Sequence, residues 1–342
     1  MTVVAAADVS ASVRRILFRC DGGQRQGWGH LSRCISLARH LRTVAPRTQI
    51  TFWGHYDAFA CQLLTQYGLP TLSTPLPSMD SNGVAATRAA CFDFDVLLLD
   101  SYVFEQHYVD GLKQQTFRLA LMDDEQRHDL TGVDLVICFR VGAEKLNYGA
   151  RHQLLGPSYF PVKPELISLR EHNLTLPVNR PLERLTVFLS GGDIGAKYLP
   201  TVLQALAPAN LQIAYLAPHV LDSSTSAQAQ HFALTPAIES IYAQSDLVIC
   251  GGGLTKYECA YACIPNACLS LTALQDQDTK IVAAQGFTLD LGLAEKMAPS
   301  RLCRQITEFI HDPRARMAQC KAFASKLNAN GPYHVARTLL AL

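Results

Sequence analysis

The chain has 342 residues and a formal net charge of +1, with 49% hydrophobic and 17% charged residues. This composition describes an ordered globular protein, and the length favours two domains over a single hydrophobic core. The near-neutral charge gives no reason to expect a nucleic-acid partner, and no apolar run approaches the roughly 20 residues that cross a bilayer.

The first half of the chain alternates predicted strands and helices. The predicted strands are Ile16–Cys20, Ile50–Trp53, Val96–Asp100, Leu119–Asp123 and Leu135–Cys138. The predicted helices lie near Leu31–Val44, Phe59–Tyr67 and Glu105–Gln114. Because runs such as Val96 to Leu99 are apolar on both faces, they are typical of a parallel sheet with helices on each side. We predict a first domain over residues 1–165.

Residues 160–183 hold four prolines among polar residues and interrupt this alternation. We therefore predict a linker over 166–183 and a second domain over 184–342, whose last helix could pack back on the first domain. Its predicted strands are Leu185–Leu189, Gln212–Leu216, Leu247–Cys250, Ala267–Leu271 and Thr288–Asp290. Its predicted helices lie near Lys197–Leu206, Ile238–Gln244, Thr255–Ala262, Asp278–Gln285, Pro299–Ile310, Arg314–Leu327 and His334–Leu340.

Both halves therefore predict an α/β class with two doubly wound, Rossmann-like domains facing a cleft, where ligands bind at the carboxyl ends of the strands. Residues 1–12 lack the basic and long apolar regions of a signal peptide, so a ragged N-terminus is predicted. Eleven cysteines lie in apolar segments without a Cys-x-x-Cys pair, which favours reduced, mostly buried thiols and a cytoplasmic location.

The most informative segment is a glycine-rich turn between the first strand and the first helix. Residues 19–30 read Arg-Cys-Asp-Gly-Gly-Gln-Arg-Gln-Gly-Trp-Gly-His. Glycines let backbone N–H groups approach a ligand, and the start of the following helix suits a diphosphate. His30 stands at that helix start, so we predict that its imidazole is a general base; the alternative is an ordinary surface histidine.

A second glycine cluster, Gly251-Gly252-Gly253, follows a buried strand and opens a helix. It predicts a backbone anion site for the phosphates of a nucleotide, with Glu258 accepting hydrogen bonds from ribose hydroxyls. The spacing Thr255-x-x-Glu258 also fits a capping box, in which both side chains only satisfy the helix start. A third turn, Ser190 to Asp193, either borders the ligand or is an ordinary turn whose last residue is an N-cap.

Polar residues also end two buried strands of the first half. Asp100-Ser101-Tyr102 ends one strand and Asp123-Asp124 ends the next. Tyr102 could hydrogen-bond a sugar or a phosphate, or be a core residue with a hydrated hydroxyl. The two adjacent aspartates could orient His30 or sugar hydroxyls, or cap turns. The other histidines show no metal-binding spacing, so neither a metal nor a cofactor is predicted.

A series of short motifs runs through nearly the whole chain in a fixed order. They are Asp21-Gly22-Gly23…Gly27-Trp28-Gly29-His30…Arg33-Cys34, Leu99-Asp100-Ser101-Tyr102, Met122-Asp123-Asp124, Leu155-Gly156-Pro157-Ser158-Tyr159…Lys163-Pro164-Glu165, Ser190-Gly191-Gly192-Asp193, Asp246 to Gly253, and Gln275-Asp276-Gln277. In order and spacing they resemble the UDP-2,4-diacetamido-2,4,6-trideoxy-β-L-altropyranose hydrolases of pseudaminic acid biosynthesis, a family also grouped with spore-coat polysaccharide proteins.

The resemblance implies a fold similar to that of GT-B glycosyltransferases and a hydrolysis that needs no metal or cofactor. In that family, water attacks the anomeric carbon of a UDP-linked sugar, UDP leaves and the configuration inverts. Carried over by position, His30 is the catalytic base, with Tyr102 and Asp21 beside it. The substrate-binding residues would be Gly22, Gly27, Gly29, Arg33, Gly192, Gly252, Gly253, Thr255, Glu258, Asp276 and Gln277.

The chain departs from that family at several positions. Cys138-Phe139-Arg140 stands where the family commonly carries Asn-Gln-Asn, Asp276 replaces an asparagine, and Lys256-Tyr257 is unusual beside the triple glycine. These departures leave the sugar open. They also leave two other hypotheses: a GT-B glycosyltransferase that moves a UDP- or CMP-linked sugar to an acceptor, or a binding module without turnover. The predicted partner is a UDP-sugar, no stable membrane insertion is expected, and the oligomeric state stays open.

Overall fold

The computed structural model describes residues 13–24, 27–177, 180–221, 229–235, 237–327 and 330–342. The predicted ragged N-terminus lies outside these residues. The chain divides into two compact units. The first unit contains Met1–Lys163 and Asn330–Leu342, and the second contains Pro164–Ala329. The last helix thus belongs to the first unit, although it follows the second unit in the sequence.

The first unit is built on a parallel six-stranded sheet. Its strands are β1 (Arg15–Cys20), β2 (Gln49–Trp53), β3 (Val96–Asp100), β4 (Arg118–Met122), β5 (Leu135–Cys138) and β6 (His152–Leu155). Its helices are Gly29–Val44, Ala58–Gln66, Val84–Ala90, Gln106–Leu112 and Gly331–Ala341, with short 3₁₀ turns at Ser81–Gly83, Ala143–Lys145 and Pro157–Tyr159. The order β2-β1-β3-β4-β5-β6 reverses between β1 and β3. Open α/β sheets bind ligands beyond the carboxyl ends of the strands at such a reversal.

Helices cover both faces of this sheet. Because successive side chains of a strand point to opposite faces, those of β1 pack into two separate clusters. Ile16 and Phe18 of β1 belong to one buried cluster, which includes residues of the helix Gly29–Val44 and the last helix. Leu17, between them, belongs to a second cluster with β3 and the helix Gln106–Leu112. A strand buried on both faces has no polar alternation, which explains the continuous apolar runs of the sequence.

The second unit repeats the architecture with a second parallel six-stranded sheet. Its strands are β7 (Arg184–Phe188), β8 (Gln212–Leu216), β9 (Ala229–Phe232), β10 (Leu247–Gly251), β11 (Asn266–Ser270) and β12 (Leu289–Leu293). Its helices are Pro164–Thr175, Asp193–Leu206, Ile238–Tyr242, Thr255–Tyr261, Ala273–Ala284, Pro299–His311 and Pro313–Lys326, with a 3₁₀ turn at Ala294–Lys296. The order β12-β11-β10-β7-β8-β9 reverses between β10 and β7.

The ten predicted strands are all present, with ends within a few residues of the predictions. Among the described residues, sequence reasoning missed two strands, β6 and β9, which are sheet edges and contain His152-Gln153 and Gln230-His231 in place of an apolar run. In the same part of the chain it also missed two helices, Val84–Ala90 and Pro164–Thr175. The second of these occupies the first part of the predicted linker, and its proline is the first helical residue, where the missing N–H costs nothing.

Two further properties concern the described residues. All eleven cysteines are free, and eight of them are buried, including Cys259, Cys263 and Cys268. Within the part of the chain that the structure describes, no helix combines the length and the apolar character that a bilayer crossing requires.

Candidate active site

His30 and Asp100 form a hydrogen-bonded pair at the carboxyl ends of β1 and β3. His30 is the second residue of the helix Gly29–Val44, which follows β1, and Asp100 is the last residue of β3. The imidazole Nδ1 lies 2.6 Å from Asp100 Oδ1, and the carboxylate is fully buried. Nδ1 also lies 3.2 Å from Arg33 Nη2, which can only donate, but that nitrogen is hydrogen-bonded to Asp100 Oδ1 at 2.5 Å. Because the shorter contact of Nδ1 is with a carboxylate, which only accepts, we assign a proton to Nδ1. The lone pair of the neutral ring therefore lies on Nε2, which is the nitrogen that can accept a proton.

Arg33, one helical turn after His30, joins two carboxylates. Its Nε donates to Asp100 Oδ2 at 2.7 Å and its Nη2 to Asp100 Oδ1 at 2.5 Å. Its Nη1 donates to Asp124 Oδ2 at 2.5 Å, beyond the end of β4. The guanidinium also lies over the ring of Phe139, 5.1 Å from its centroid. Such bidentate and stacked geometry is specific to arginine, and it fixes Asp100 beneath the imidazole.

Tyr102 contacts two members of the same cluster, His30 and Asp124. Its ring meets His30 edge to face at 4.3 Å, and its hydroxyl donates to Asp124 Oδ2 at 2.9 Å. Tyr102 is 47% exposed. Asp124 Oδ1 is buried and has no hydrogen-bond partner among the described residues. An acceptor left in that state costs about 1–3 kcal/mol, so this oxygen is ready to receive a donor.

The charges of the cluster set the ionisation of its members. Burial alone would raise the pKa of Asp100, but the charges and hydrogen bonds of Arg33 and His30 outweigh burial and hold that pKa well below its ordinary value. Partial burial, and next the charge of Asp124, raise the pKa of Tyr102. The cluster thus combines an ionised Asp100 with a protonated Tyr102 phenol beside the imidazole of His30.

Asp21, predicted beside the base, has other partners. Its Oδ1 accepts from Arg19 Nη1 and from the backbone N–H of His55, both at 2.9 Å. Among the hydrogen bonds of the described residues, none joins Asp21 to His30. The partner of the imidazole is Asp100, and the carboxylate next to Tyr102 is Asp124; sequence reasoning had offered the adjacent aspartates 123 and 124 as the pair that could orient His30.

The three predicted glycines of the first turn have different roles. A Cβ at Gly22 would lie 2.7 Å from the side chain of Leu31, so only glycine allows the following helix to pack there. Gly27 has a φ of 81°, a conformation that favours glycine. Gly29 is the first helical residue, and the side chain of the preceding Trp28 makes no capping hydrogen bond. Residues 25 and 26 of this turn lie outside the described part.

In the second unit, the triple glycine follows β10. A Cβ at Gly251 would lie 1.9 Å from the carbonyl oxygen of Leu189, directly after β7, so these two strand ends touch. A Cβ at Gly252 would lie 2.5 Å from Gln275 Cβ. A Cβ at Gly253, which is exposed, would meet no atom within 4 Å. The turn is therefore tightly surrounded at Gly251 and Gly252 and open at Gly253.

The capping-box alternative at this turn is wrong. The N-cap of the helix Thr255–Tyr261 is Leu254, so Thr255 and Glu258 stand one position too late for the reciprocal bonds of that motif. Both side chains are buried, and the hydroxyl of Tyr242 donates to Glu258 Oε2 at 3.4 Å.

The other predicted binding residues of the second unit occupy two helix starts. Gly192 is the N-cap of the helix Asp193–Leu206, so the alternative in which Asp193 is the N-cap of an ordinary turn is wrong. The N–H of Gly192 donates to the hydroxyl of Ser190 at 3.1 Å. Asp276 pairs with Lys280 at 2.7 Å.

Gln277 is exposed on the same helix as Asp276. The residue of this helix that packs on the triple glycine is Gln275, whose Oε1 also accepts from Leu271 N at 2.9 Å. Sequence reasoning missed this contact of Gln275. No group of three or more potential metal-ligating His, Cys, Asp or Glu side chains occurs among the described residues.

Comparison with solved structures gives this architecture a name. MurG of Acinetobacter baumannii superposes with a TM-score of 0.68 at 14% identity, covering 96% of this chain and 100% of MurG. The spinosyn forosaminyltransferase SpnP gives 0.66 at 12% identity, covering 97% and 100%. The chain has the GT-B fold. A third match, Staphylococcus aureus MnaA in a structure with UDP, gives 0.63 at 8% identity, covering 94% and 95%.

Curated relatives of this GT-B chain are distant in sequence. The spore coat polysaccharide biosynthesis protein SpsG of Bacillus subtilis is 24% identical over 338 residues, which cover 93% of this chain and 96% of SpsG. The uncharacterized protein MJ1062 of Methanocaldococcus jannaschii is 20% identical over 279 residues. That match covers 76% of this chain but only 56% of the archaeal protein. No family model matches the chain.

Proposed function

We propose that the protein is a nucleotide-sugar hydrolase in which His30 activates the attacking water. The observation that carries this proposal is the hydrogen bond between His30 Nδ1 and Asp100, because it leaves Nε2 as the proton acceptor. When Nε2 takes a proton, the new positive charge meets a cluster in which two carboxylates, Asp100 and Asp124, face one guanidinium. The imidazolium therefore has a counter-charge in place.

The proposed substrate is a UDP-linked sugar of the diacetamido-trideoxy type, which is cleaved with inversion and without a metal. The motif resemblance and the full-length similarity to SpsG support this choice. In this proposal Tyr102 and Asp124 contact the sugar, and glycine-turn N–H groups bind the diphosphate. Backbone N–H groups there would stabilise the charge on the departing UDP, which is often the largest catalytic contribution.

A glycosyltransferase is the second candidate function. Among the structural neighbours, SpnP is a forosaminyltransferase and CalG4 a calicheamicin glycosyltransferase by name. A base arranged as His30 is arranged deprotonates an acceptor hydroxyl as readily as a water molecule, so the geometry of the first unit serves both reactions.

Incubation of the protein with UDP-linked diacetamido sugars, without an acceptor, separates these functions. For the hydrolase we expect free UDP together with free sugar. NMR of the sugar product then identifies the anomer. Activity is expected to survive EDTA. Consumption that requires an added acceptor would establish the transferase instead, and binding of the sugar nucleotide without consumption would leave only a binding module.

The variant His30→Asn tests the role of the base. We expect turnover to fall on the order of 10²–10⁴-fold while the affinity for UDP stays unchanged, because the imidazole acts on water and not on the nucleotide. His107→Asn, an exposed histidine of the same unit, is the matched control and should keep full activity. Equal losses of UDP affinity and turnover in His30→Asn would argue against the base.

A further inference from the structure

Lys256 is a buried lysine whose ammonium group is fully used inside the protein. Its side chain is 1% exposed. Nζ donates to the carbonyl oxygens of Gly252 and Gly253 and lies 2.9 Å from Asp278 Oδ2. An ammonium has three protons, so these three acceptors satisfy it. Lysine is almost never buried without such partners, and a saturated ammonium has no donor left for a ligand.

The contacts of Lys256 fix the direction of two peptide groups. In a trans peptide the C=O and the following N–H point in opposite directions, and no cis peptide occurs among the described residues. When the carbonyls of Gly252 and Gly253 point at the buried ammonium, the N–H groups of Gly253 and Leu254 point away from it. The turn is open at Gly253, where a Cβ would meet no atom within 4 Å.

Neighbouring side chains keep the lysine in this place. The hydroxyl of Tyr257 lies 3.3 Å from both carboxylate oxygens of Asp278, and Lys256 Nζ lies 5.2 Å from the Tyr257 ring centroid. Consecutive glycines would otherwise sample many backbone conformations. Donors that are already oriented bind an anion without the entropic cost of ordering the loop.

We infer that Lys256 is a positioning residue that orients the N–H groups of Gly253 and Leu254 toward a bound diphosphate. The inference rests on the proposed function and adds a residue that acts through the loop rather than by touching the ligand. Its positive charge is paired with Asp278, so its contribution is geometric. The positioning role accounts for the presence of Lys256, which is unusual beside the triple glycine.

Titration calorimetry with UDP, UMP and uridine tests this inference. The double variant Lys256→Met/Asp278→Asn removes the ammonium without leaving a buried carboxylate unpaired. We expect its affinity for UDP to fall on the order of tenfold, while its affinity for uridine stays unchanged. Lys256→Arg, which keeps a cation at this position, should lose less UDP affinity than the double variant. Lys321→Met, an exposed lysine of the same unit, is the control.

The outcomes separate this inference from the proposed function. Wild-type protein that binds neither UDP nor UMP overturns both. Wild-type binding with an unchanged UDP affinity in the folded double variant overturns the role of Lys256 alone. Losses of the same factor for UDP and uridine would mean that the lysine only supports the fold, and would overturn its positioning role as well. If the double variant does not fold, Asp278→Asn alone is expected to show a smaller selective loss of UDP affinity, and its absence counts against the inference.

Discussion

Arg33 holds the carboxylates beside His30 and helps to lower the pKa of Asp100. It is bonded to Asp100 and Asp124 at the same time and stacks on Phe139, one of the positions where the chain departs from the hydrolase family. Arg140, the next departure, donates to the backbone oxygen of Asp124 at 2.5 Å. Phe139 therefore packs against the guanidinium that binds both carboxylates, and Arg140 holds the backbone of Asp124. Lysine at position 33 could not reproduce the planar contacts.

Replacing Asp100 by asparagine is expected to destabilise the first unit in a pH-dependent way. At neutral pH the loss should be about 3–5 kcal/mol, because a buried guanidinium loses one of its charge partners. The folded-state pKa of Asp100 is lowered, so the stabilisation is complete above the unfolded-state value of about 4 and is lost as the pH falls below it. The stability difference between wild type and Asp100→Asn should therefore begin to shrink at about pH 5 and be clearly smaller at about pH 3.

Urea denaturation followed by tryptophan fluorescence measures this difference. The chain has two tryptophans, Trp28 and Trp53, and both belong to the first unit, so their signal reports that unit. A stability difference of the same size at pH 3 and pH 7 would contradict the ionised role of Asp100. Retention of full turnover by the variant would in addition contradict its role in orienting His30.

At the scale of elements, the strand-to-helix turns decide where ligands can approach. The turns after β7 and β10 lie at the point where the second sheet reverses its winding, and the turns after β1 and β3 lie at the corresponding point of the first sheet. In each sheet the two strand ends are neighbours. Polar and glycine residues that are far apart in sequence therefore share one edge.

The two glycines Gly252 and Gly253 should respond differently to alanine. Gly252→Ala places a Cβ 2.5 Å from Gln275 and should cost about 1–3 kcal/mol of stability, because the packed turn must shift. Gly253→Ala has open space and should leave stability unchanged. If the diphosphate occupies that space, the methyl group that Gly253→Ala adds should weaken UDP binding on the order of tenfold.

Thermal unfolding and UDP titration of both variants make this comparison. Each variant is the control of the other, since the two changes add the same methyl group at adjacent positions. Normal UDP affinity in Gly253→Ala would place the diphosphate elsewhere.

At the scale of the whole molecule, the chain completes its first unit only with its last residues. The helix Gly331–Ala341 packs on the helix Gly29–Val44 and contributes four buried side chains to the same cluster: Val335, Ala336, Leu339 and Leu340. The helix that carries His30 is thus supported by a segment about 300 positions later in the sequence.

Truncating this late contact is expected to weaken the first unit. Replacing Leu339, which is fully buried, by alanine should lower the free energy of unfolding by about 2–5 kcal/mol, because the change leaves a cavity. Tryptophan fluorescence during urea denaturation should show a lower midpoint. Phe92→Ala, at an 82% exposed position of the same unit, should leave the midpoint nearly unchanged. Equal midpoints for Leu339→Ala and wild type would show that the last helix does not support this core.

The sequence by itself determined the α/β class and ten of the twelve strands that the structure describes, because doubly buried parallel strands appear as continuous apolar runs between helical patterns. It also marked His30, Tyr102 and the triple glycine, since glycine turns at strand ends are local features. It missed the edge strands β6 and β9, whose short polar segments gain their structure from the neighbouring strand.

Only the tertiary structure decided the partners within the site. Asp100 is 70 positions from His30, and Asp124 is 91 positions from Arg33. Such pairs depend on which parallel strands are neighbours, and strand order is not contained in the local pattern of any one strand. The same reason explains why Lys256 could be noticed as unusual but not understood, since its partner Asp278 belongs to the helix after the adjacent strand β11.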